Sequence, residues 1–463
     1  MTRPLVVVGG TIAALVAADG AAAAGREVVL LLPRQGVGGG FAPLTPDGRR
    51  LDRGLRALEL HYEGTGSPPP LEDYDAAGAG HRPYAQQIAA FIRELAGPGL
   101  VELGRPRLWL RGRLGEELLT TCDLTGLLGY LTAAQAETIA RQTAHGGAGL
   151  LDGARRHGLG DLDLGAASRE QHGALFHDLV IAPLAAKLRP GGTDDVPAAL
   201  RRKLWLPLFH PQTLHEAATG APPAFRPERP FHGIEPGGTG ELIARLTARL
   251  QASPRVAVRR TDGIERIERG RSGAVLITPR RSLPVHAAEP ILALAPGELF
   301  AACGVPYAPE RETSTLAWVE VAEDDVLTLP SFVHVVDSDV RVFRLSRGER
   351  RDGRITVCAE LAHDVPKAFA ASTAAAALTR LGLIRAGASV RPITAFAGPT
   401  FTAPTFANRA RFGEARAAYD ALGLDAQAIG GVEAFGADSL NEQLVQGLRA
   451  AQLAAHRPAA AAA

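Results

Sequence analysis

Residues 5–15 read Leu-Val-Val-Val-Gly-Gly-Thr-Ile-Ala-Ala-Leu, and the fold class follows from them. The uninterrupted apolar run 5–8 predicts a buried parallel strand that ends at Gly9-Gly10. An Ala-rich helix is expected over 12–24, and a second apolar strand over 27–32. A strand, a glycine turn, a helix and a second strand in this order are typical of a dinucleotide-binding βαβ unit.

The remainder of the chain alternates between helical and strand-like periodicity. From 84 to 220 the apolar spacing is mainly helical, and 255–294 predict short strands after a helix. Alternation over 314–361 predicts antiparallel strands. A last strand is expected near 427–430, followed by a helix over about 439–455. The pattern predicts an α/β protein with more than one structural unit.

Composition excludes several classes of function. The 463 residues carry 50 Lys and Arg against 49 Asp and Glu, which argues against nucleic acid as a partner. Three cysteines without a CxxC pair indicate neither a disulfide framework nor a metal site. No signal peptide or transmembrane segment is expected, because charged residues or glycine interrupt every apolar run, so the prediction is a cytoplasmic protein.

Six short segments, most of them rich in glycine, are spread in order over the chain. They are Val-Val-Val-Gly-Gly-Thr at 6–11, Val-Gly-Gly-Gly-Phe at 37–41, Leu-Asp-Arg-Gly at 51–54, Glu-Pro-Gly-Gly-Thr at 235–239, Pro-Ile-Leu-Ala-Leu-Ala-Pro at 290–296, and Gly-Gly at 430–431 with the helix that follows. In this order they resemble motifs of the FAD-dependent amine-oxidase and protoporphyrinogen-oxidase superfamily, which includes UDP-galactopyranose mutases. The last segment is similar to that superfamily's C-terminal flavin-contacting strand and helix, and 163–210 faintly resembles the mutase helical domain.

The resemblance implies a Rossmann-like FAD-binding domain and a discontinuous substrate domain of helices plus an antiparallel sheet. The FAD-binding domain would comprise 1–75, 232–300 and 391–463, the last including the C-terminal tail. The substrate domain would comprise the mostly helical 76–231 and the antiparallel 301–390. The predicted sheet therefore contains both 5–8 and 427–430.

The cofactor fingerprint departs from that of the superfamily at three positions. Thr11 replaces the second glycine, Leu32 stands where an acidic residue accepts from the ribose, and Gly40 stands where an arginine contacts the pyrophosphate. We therefore expect weakened FAD binding, with the pyrophosphate over the N-terminus of the first helix. The implied cofactor residues are Gly9, Gly10, Thr11, Ala14, Leu32, Arg34, Gly38, Gly39, Gly40, Phe41, Val258, Gly431, Asn441 and Gln443.

The candidate active cavity lies between the two domains. His61 and Tyr62 follow flavin-adjacent motifs and are the candidate catalytic residues. Trp205, Phe209, Phe231 and His232 are the candidate substrate residues, at the crossing between the domains. Arg341 and Arg344 lie on a predicted strand, where a solvated face is the simpler interpretation.

Three functions remain open from the sequence. The first is an FAD-dependent oxidoreductase that acts on a small-molecule amine or a biosynthetic intermediate. The second is a non-catalytic family member, cofactor-free or weakly flavin-binding, that supports a partner enzyme. The third is a redox-neutral, mutase-like flavoenzyme acting on a nucleotide sugar. Whether a partner protein or a homodimer is involved also stays open.

Overall fold

The βαβ unit at the N-terminus forms as its sequence predicts, within a computed structural model that describes most of the chain. The described residues are 3–34, 36–60, 63–66, 85–144, 162–228, 230–271, 273–278, 285–432, 435 and 439–456. Their helices are α1 (Ile12–Ala23), α2 (Ala85–Ala96), α3 (Ala133–Thr143), α4 (Leu164–Phe176), α5 (Ala182–Leu188), α6 (Pro211–Thr219), α7 (Gly238–Ala252), α8 (Pro296–Ala302), α9 (Ala370–Arg380), α10 (Phe406–Ala421) and α11 (Leu440–His456).

The strands of the described residues fall into five sheets. They are β1 (Leu5–Val8), β2 (Val28–Pro33), β3 (Leu58–Glu59), β4 (Glu63–Gly66), β5 (Leu100–Glu102), β6 (Arg107–Leu110), β7 (Arg113–Glu116), β8 (Phe225–Glu228), β9 (Phe231–Ile234), β10 (Val256–Thr261), β11 (Arg266–Gly270), β12 (Gly273–Ile277), β13 (Val285–Ala287), β14 (Ile291–Leu292), β15 (Arg311–Ala322), β16 (Phe332–Val335), β17 (Val342–Arg351), β18 (Arg354–Leu361), β19 (Val390–Thr402) and β20 (Gln427–Ala428).

A five-stranded parallel sheet carries the dinucleotide-binding unit. Its strand order is β10-β2-β1-β14-β20, so three separated blocks of the chain meet in one sheet. Residues 5–8 and 427–428 therefore belong to the same sheet, as the motifs predict. One face of the sheet buries α1, α7 and α11, and the other packs against β11–β13, α8 and α10.

A seven-stranded sheet, ordered β19-β15-β18-β17-β16-β6-β7, forms the second large layer. Its pairings are antiparallel except for the parallel contact between β16 and β6. The predicted substrate sheet over 301–390 thus extends on both sides. Residues 107–116 add two strands inside the segment predicted to be mostly helical. Strand β19 lies at the opposite edge, although the predicted FAD-binding segment begins at 391.

The sequence does not predict strand β19, and the reason is local. Pro392 and Pro399 lack a backbone N–H, and Gly398 lacks a side chain, so they interrupt the alternating pattern that identifies a strand. Two register shifts against β15 absorb these irregularities. The strand is consequently identified by its pairing with β15 but not by its sequence pattern. The domain boundaries themselves stay a prediction.

A buried lysine ties the helical layer to the seven-stranded sheet. The ammonium of Lys187, at the end of α5, donates to the carbonyl oxygens of Val335 at 2.8 Å and Val342 at 3.0 Å. Burial lowers the pKa of Lys187 to about 7, partly offset by Asp337 and Asp339. The protonated form of this side chain is therefore poorly tolerated in the folded protein.

Stability should consequently rise with pH between about 7 and 10.5. In that window the unfolded chain keeps a proton on Lys187 that the folded chain has released, which gives a limiting slope of about 1.4 kcal/mol per pH unit. Urea unfolding of Lys187→Met across this range should lack the slope. Lys367→Met, at an exposed position, should retain it; equal slopes in both variants would contradict the assignment.

Candidate functional site

The turn between β1 and α1 lies at the carboxyl ends of the parallel strands, where this class of sheet binds its ligands. Gly9 has φ +122°, and a Cβ there would lie 2.2 Å from the carbonyl oxygen of Ala293, which follows β14. Only glycine fits between the two strands. The first glycine of the motif is thus required by the sheet itself.

The second glycine motif packs directly onto this turn. Gly38 pairs with Thr11 in an isolated parallel bridge, and its N–H donates to the carbonyl oxygen of Gly10 at 2.5 Å. A Cβ at Gly39 would lie 3.2 Å from Thr11 Cγ2. The structure therefore brings together the two motifs that the sequence separates by some thirty residues, and the close backbone approach between them is preserved.

The first-turn amides of α1 are satisfied by protein groups. Thr11 caps the helix, and its Oγ1 accepts from the N–H of Ala14 at 3.2 Å. The N–H of Ala13 donates to Gln443 Oε1 at 3.0 Å, in a buried contact across the interface with α11. These amides would otherwise form the anion site expected at a helix N-terminus.

The predicted ribose end of the site offers no carboxylate. Leu32 is fully buried in the core between the sheet and its helices, and the ring of Pro33 lies against Gly10. Arg34 pairs with Asp262 at 2.7 Å rather than with a group of the glycine turn. Val258 is half-buried beside the same core and lies opposite Leu30 in the sheet. A glutamate at position 32 would bury its charge as well as offer an acceptor.

Two further buried side-chain amides of helix α11 hold neighbouring backbone segments in place. Asn441 exchanges hydrogen bonds with the backbone of Glu59 in β3: it accepts at 3.2 Å and donates at 2.5 Å. Gln446 Oε1 accepts from the N–H of Gly430 at 2.6 Å, in the turn that leads to Gly431. The C-terminal helix thus holds both the last strand of the parallel sheet and the segment before His61.

The loop 52–56 carries the half-buried charged residues Asp52, Arg53 and Arg56, and it contacts Thr239 of α7 and Glu360 of β18. Asp52 accepts from the Thr239 hydroxyl at 2.5 Å and from its N–H at 3.2 Å, and so caps α7. Burial raises the pKa of Asp52, although Thr239 and Arg56 act in the opposite direction. The third and fourth motifs of the resemblance, around 51–54 and 235–239, therefore meet through this carboxylate.

Arg56 lies beside the ring of Phe41, with 4.8 Å between guanidinium carbon and ring centroid. It donates to the carbonyl oxygens of Leu55 and Gly40, and burial lowers the pKa of its guanidinium. The Nε atoms of Arg56 and Arg53 are buried and have no hydrogen-bond partner among the described residues. These donors lack the acceptor that buried polar groups normally find.

A buried ion pair faces the same loop. Arg344 donates to both oxygens of Glu360, at 2.6 and 2.7 Å, and Glu360 also accepts from the N–H of Leu55. Burial alone would raise the pKa of Glu360, but Arg344 and the Leu55 amide hold it below its ordinary value. The interpretation of Arg344 as part of a solvated face is wrong, since its side chain is buried and pairs with Glu360 on the adjacent strand. Arg341 is exposed and pairs with Asp364.

The structure brings some of the predicted substrate residues together. Trp205 and Phe231 join Leu55 and Phe332 in one apolar cluster, and Arg344 lies 4.6 Å from the Trp205 ring. His232 is half-buried on β9, opposite Leu58 in the sheet. Phe209 packs in a different cluster, within the helical core beside His172 and Phe176.

The candidate catalytic residues His61 and Tyr62 lie outside the described residues. The charged residues around the loop 52–56 are the group that sequence reasoning missed. Their signal in the sequence was weak, because Arg56 and Glu360 belong to no motif and are far apart along the chain. Within the described ranges, no group of three His, Cys, Asp or Glu could hold a metal ion. Each described helix also falls short of the length and apolarity that a bilayer crossing requires.

The fit of FAD to these residues differs between its two halves. Gly9, Gly38 and Gly39 meet at the N-terminus of α1, and the buried Nε donors of Arg53 and Arg56, which have no partner among the described residues, lie at the third motif and just after it. At the other end, the chain's own groups satisfy two first-turn amides, and Leu32 offers no acceptor for a ribose. The residues present are compatible with the flavin half of the cofactor and supply fewer contacts to its adenosine half.

No protein-family model and no curated protein matches the chain. Solved structures match over nearly its whole length. A reduced UDP-galactopyranose mutase aligns with TM-score 0.71 and 11% identity, covering 98% of this chain and 95% of that one. An oxidoreductase from Methanosarcina mazei aligns with TM-score 0.59 and 13% identity, covering 97% and 100%.

A putrescine oxidase variant with redesigned cofactor binding aligns with TM-score 0.55 and 15% identity, covering 98% of this chain and 99% of that one. At such low identities the likeness concerns the fold. The resemblance carried by the six motifs is confirmed at that level. The chain therefore shares its fold with these solved structures.

Proposed function

We propose that this chain is an FAD-dependent oxidoreductase that acts on a small molecule, an amine or a biosynthetic intermediate, and that it holds its flavin weakly. The observation that carries the proposal is the packing of Gly38 and Gly39 onto the Gly9–Thr11 turn at the N-terminus of α1. This pairing places both glycine motifs side by side at the N-terminus of α1, where a dinucleotide's pyrophosphate would bind.

Two groups of residues would bind the two parts of the cofactor. The glycine turn, Gly38 and Gly39 would hold the pyrophosphate, while Phe41, Arg53 and Arg56 would contact the flavin ring, whose carbonyl and ring-nitrogen atoms supply acceptors. When bound, FAD supplies the hydride-accepting chemistry, so the protein needs only to bind and orient the substrate.

The substrate cavity would lie between the two large sheets, beside the loop 52–56. Trp205 and Phe231 would supply an apolar wall, and Arg344 over the Trp205 ring gives that wall a charged edge. His232, His61 and Tyr62 remain the proposed polar residues of the reaction. Phe209 would belong to the helical core rather than line the cavity.

Purified protein should carry well under one flavin per chain and should show the visible absorption bands of flavin. The reason is that the ribose or phosphate of FAD would lack one hydrogen bond at each of three positions, Leu32, Thr11 and Gln443. Each missing hydrogen bond lowers the binding free energy by on the order of 1 kcal/mol. Quantifying the flavin released by heat measures the occupancy. Colourless protein that takes up no added FAD would contradict the proposal.

Anaerobic mixing of the reconstituted protein with candidate substrates then tests the reaction type. An oxidised substrate should bleach the flavin, and oxygen should restore its colour. A mutase-like reaction, which the full-length likeness to a UDP-galactopyranose mutase supports, would instead convert a nucleotide sugar without net bleaching of the flavin.

The second candidate is a cofactor-free or weakly flavin-binding, non-catalytic protein that supports a partner enzyme. The specific observation in its favour is that Thr11 and Gln443 already satisfy the amides of Ala14 and Ala13. Protein that stays colourless at saturating FAD, yet unfolds cooperatively, would favour this candidate over the first.

A further inference from the structure

We propose that Gln443 is an internal occupant of the cofactor's pyrophosphate position, and that FAD must displace its side chain in order to bind. The inference rests on the proposed function, because it assumes that FAD approaches the N-terminus of α1. It goes further by naming the residue that sets the affinity. Gln443 would act by competing with the phosphate oxygens for the N–H of Ala13.

The contact has the chemistry of a substitute for phosphate. Ala13 is the second residue of α1, so its N–H has no acceptor within the helix. Gln443 Oε1 accepts this N–H at 3.0 Å, and the side chain is buried. An amide oxygen at this end of the helix dipole provides the partial negative charge that a phosphate would provide in full.

The position of Gln443 is fixed by the packing of α11 on α1. Gly447, one turn further along α11, lies so close to α1 that a Cβ there would be 2.8 Å from the carbonyl oxygen of Ala13. A turn of helix places residues four apart on the same face. The side chain of Gln443 is therefore directed at the first turn of α1, whose amides a dinucleotide would contact.

The neighbouring amide of Gln446 provides an internal comparison. It is equally buried on the same helix, and its oxygen accepts a backbone N–H, that of Gly430. Its partner lies in the turn after β20 rather than in the glycine turn of β1 and α1. A loss of Gln446 would therefore disturb the helix without opening the phosphate position.

The test is the titration of FAD into flavin-stripped protein, with binding monitored by the quenching of flavin fluorescence. Gln443→Ala should bind FAD about five- to tenfold more tightly than the unsubstituted chain, because one neutral hydrogen bond no longer has to be broken. Gln443→Glu should abolish saturable binding, since its carboxylate would hold the Ala13 amide more strongly and repel the pyrophosphate. Gln446→Ala should leave the affinity within about twofold.

Folding is monitored for each variant by urea unfolding, and Gln443→Met serves if the alanine variant is not folded. Equal FAD affinity for the unsubstituted chain, Gln443→Ala and Gln443→Glu would overturn the inference while leaving the proposed function intact. If no variant binds FAD, the proposed function fails, and stabilisation of Gln443→Ala by inorganic pyrophosphate would then support only the part of the inference by which Gln443 covers an anion position at the N-terminus of α1. If Gln443→Ala gains affinity for neither FAD nor inorganic pyrophosphate, the inference is overturned as well.

Discussion

Replacing Glu360 with Ala is expected to lower the free energy of unfolding by about 3–5 kcal/mol, the cost of leaving one partner of a buried ion pair uncompensated. Arg344 would lose both of its hydrogen bonds to the carboxylate, and the N–H of Leu55 would lose its acceptor. Urea unfolding at neutral pH measures the loss. Because Leu55 belongs to the loop 52–56, the change should also loosen the segment that carries Arg53 and Arg56.

Asp364→Ala is the matched control for this prediction. Asp364 pairs with Arg341, at the ends of the same two strands, but both side chains are about half exposed. Exposed pairs contribute little, so the loss should stay within about 1 kcal/mol. The combination of Glu360→Leu with Arg344→Met should recover much of the stability, since an apolar pair of similar volume avoids the buried charge. Equal losses for Glu360→Ala and Asp364→Ala would show that the buried pair has no special weight.

Gly9→Ala should destabilise the protein by more than about 4 kcal/mol, the range reserved for changes with a specific structural cause. Its Cβ would lie 2.2 Å from the Ala293 carbonyl oxygen, so β1 and β14 would have to separate, and φ +122° is a strained conformation for alanine. The loss of stability should be observed in flavin-free protein as well, because the substitution disturbs the packing of the sheet rather than a contact with the cofactor.

Gly25→Ala separates the two contributions in Gly9→Ala. Gly25 also has a positive φ, of +87°, but nothing lies within 4 Å of its added Cβ. Only the conformational cost remains, about 1–2 kcal/mol. The difference between the two variants in denaturant midpoint therefore measures the steric part. A Gly9→Ala protein as stable as Gly25→Ala would contradict the packing of β14 against the glycine turn.

The parts of the fold that could be predicted are those with a local signature. The run 5–8, the glycine turn and the Ala-rich helix are fixed by short-range sequence, and all three form where expected. Strand β19 could not be found in the same way, because two prolines and a glycine mask its pairing with β15. Strands β6 and β7 are four residues each, too short for their period to stand out within a helical segment.

The candidate site was predictable only where its residues lie inside motifs. Gln443 was expected near the cofactor from its place in the C-terminal helix, yet its contact with Ala13 spans 430 positions of the chain. Arg344 and Glu360 become a pair only through the register of β17 and β18. Burial of charge depends on tertiary partners, and these lie beyond the reach of local pattern.

The central claim is that FAD still binds at the glycine turn between β1 and α1, onto which Gly38 and Gly39 pack. It would do so although several hydrogen bonds to its ribose and phosphate groups are missing. Equilibrium titration of flavin-stripped, unsubstituted protein with FAD, with FMN as the ligand that lacks the adenosine half, tests it most directly. The account predicts saturable binding of one FAD per chain with a Kd in the micromolar range, and weaker binding of FMN. Absence of saturation at about 1 mM FAD, an affinity worth only some 4 kcal/mol, would contradict it.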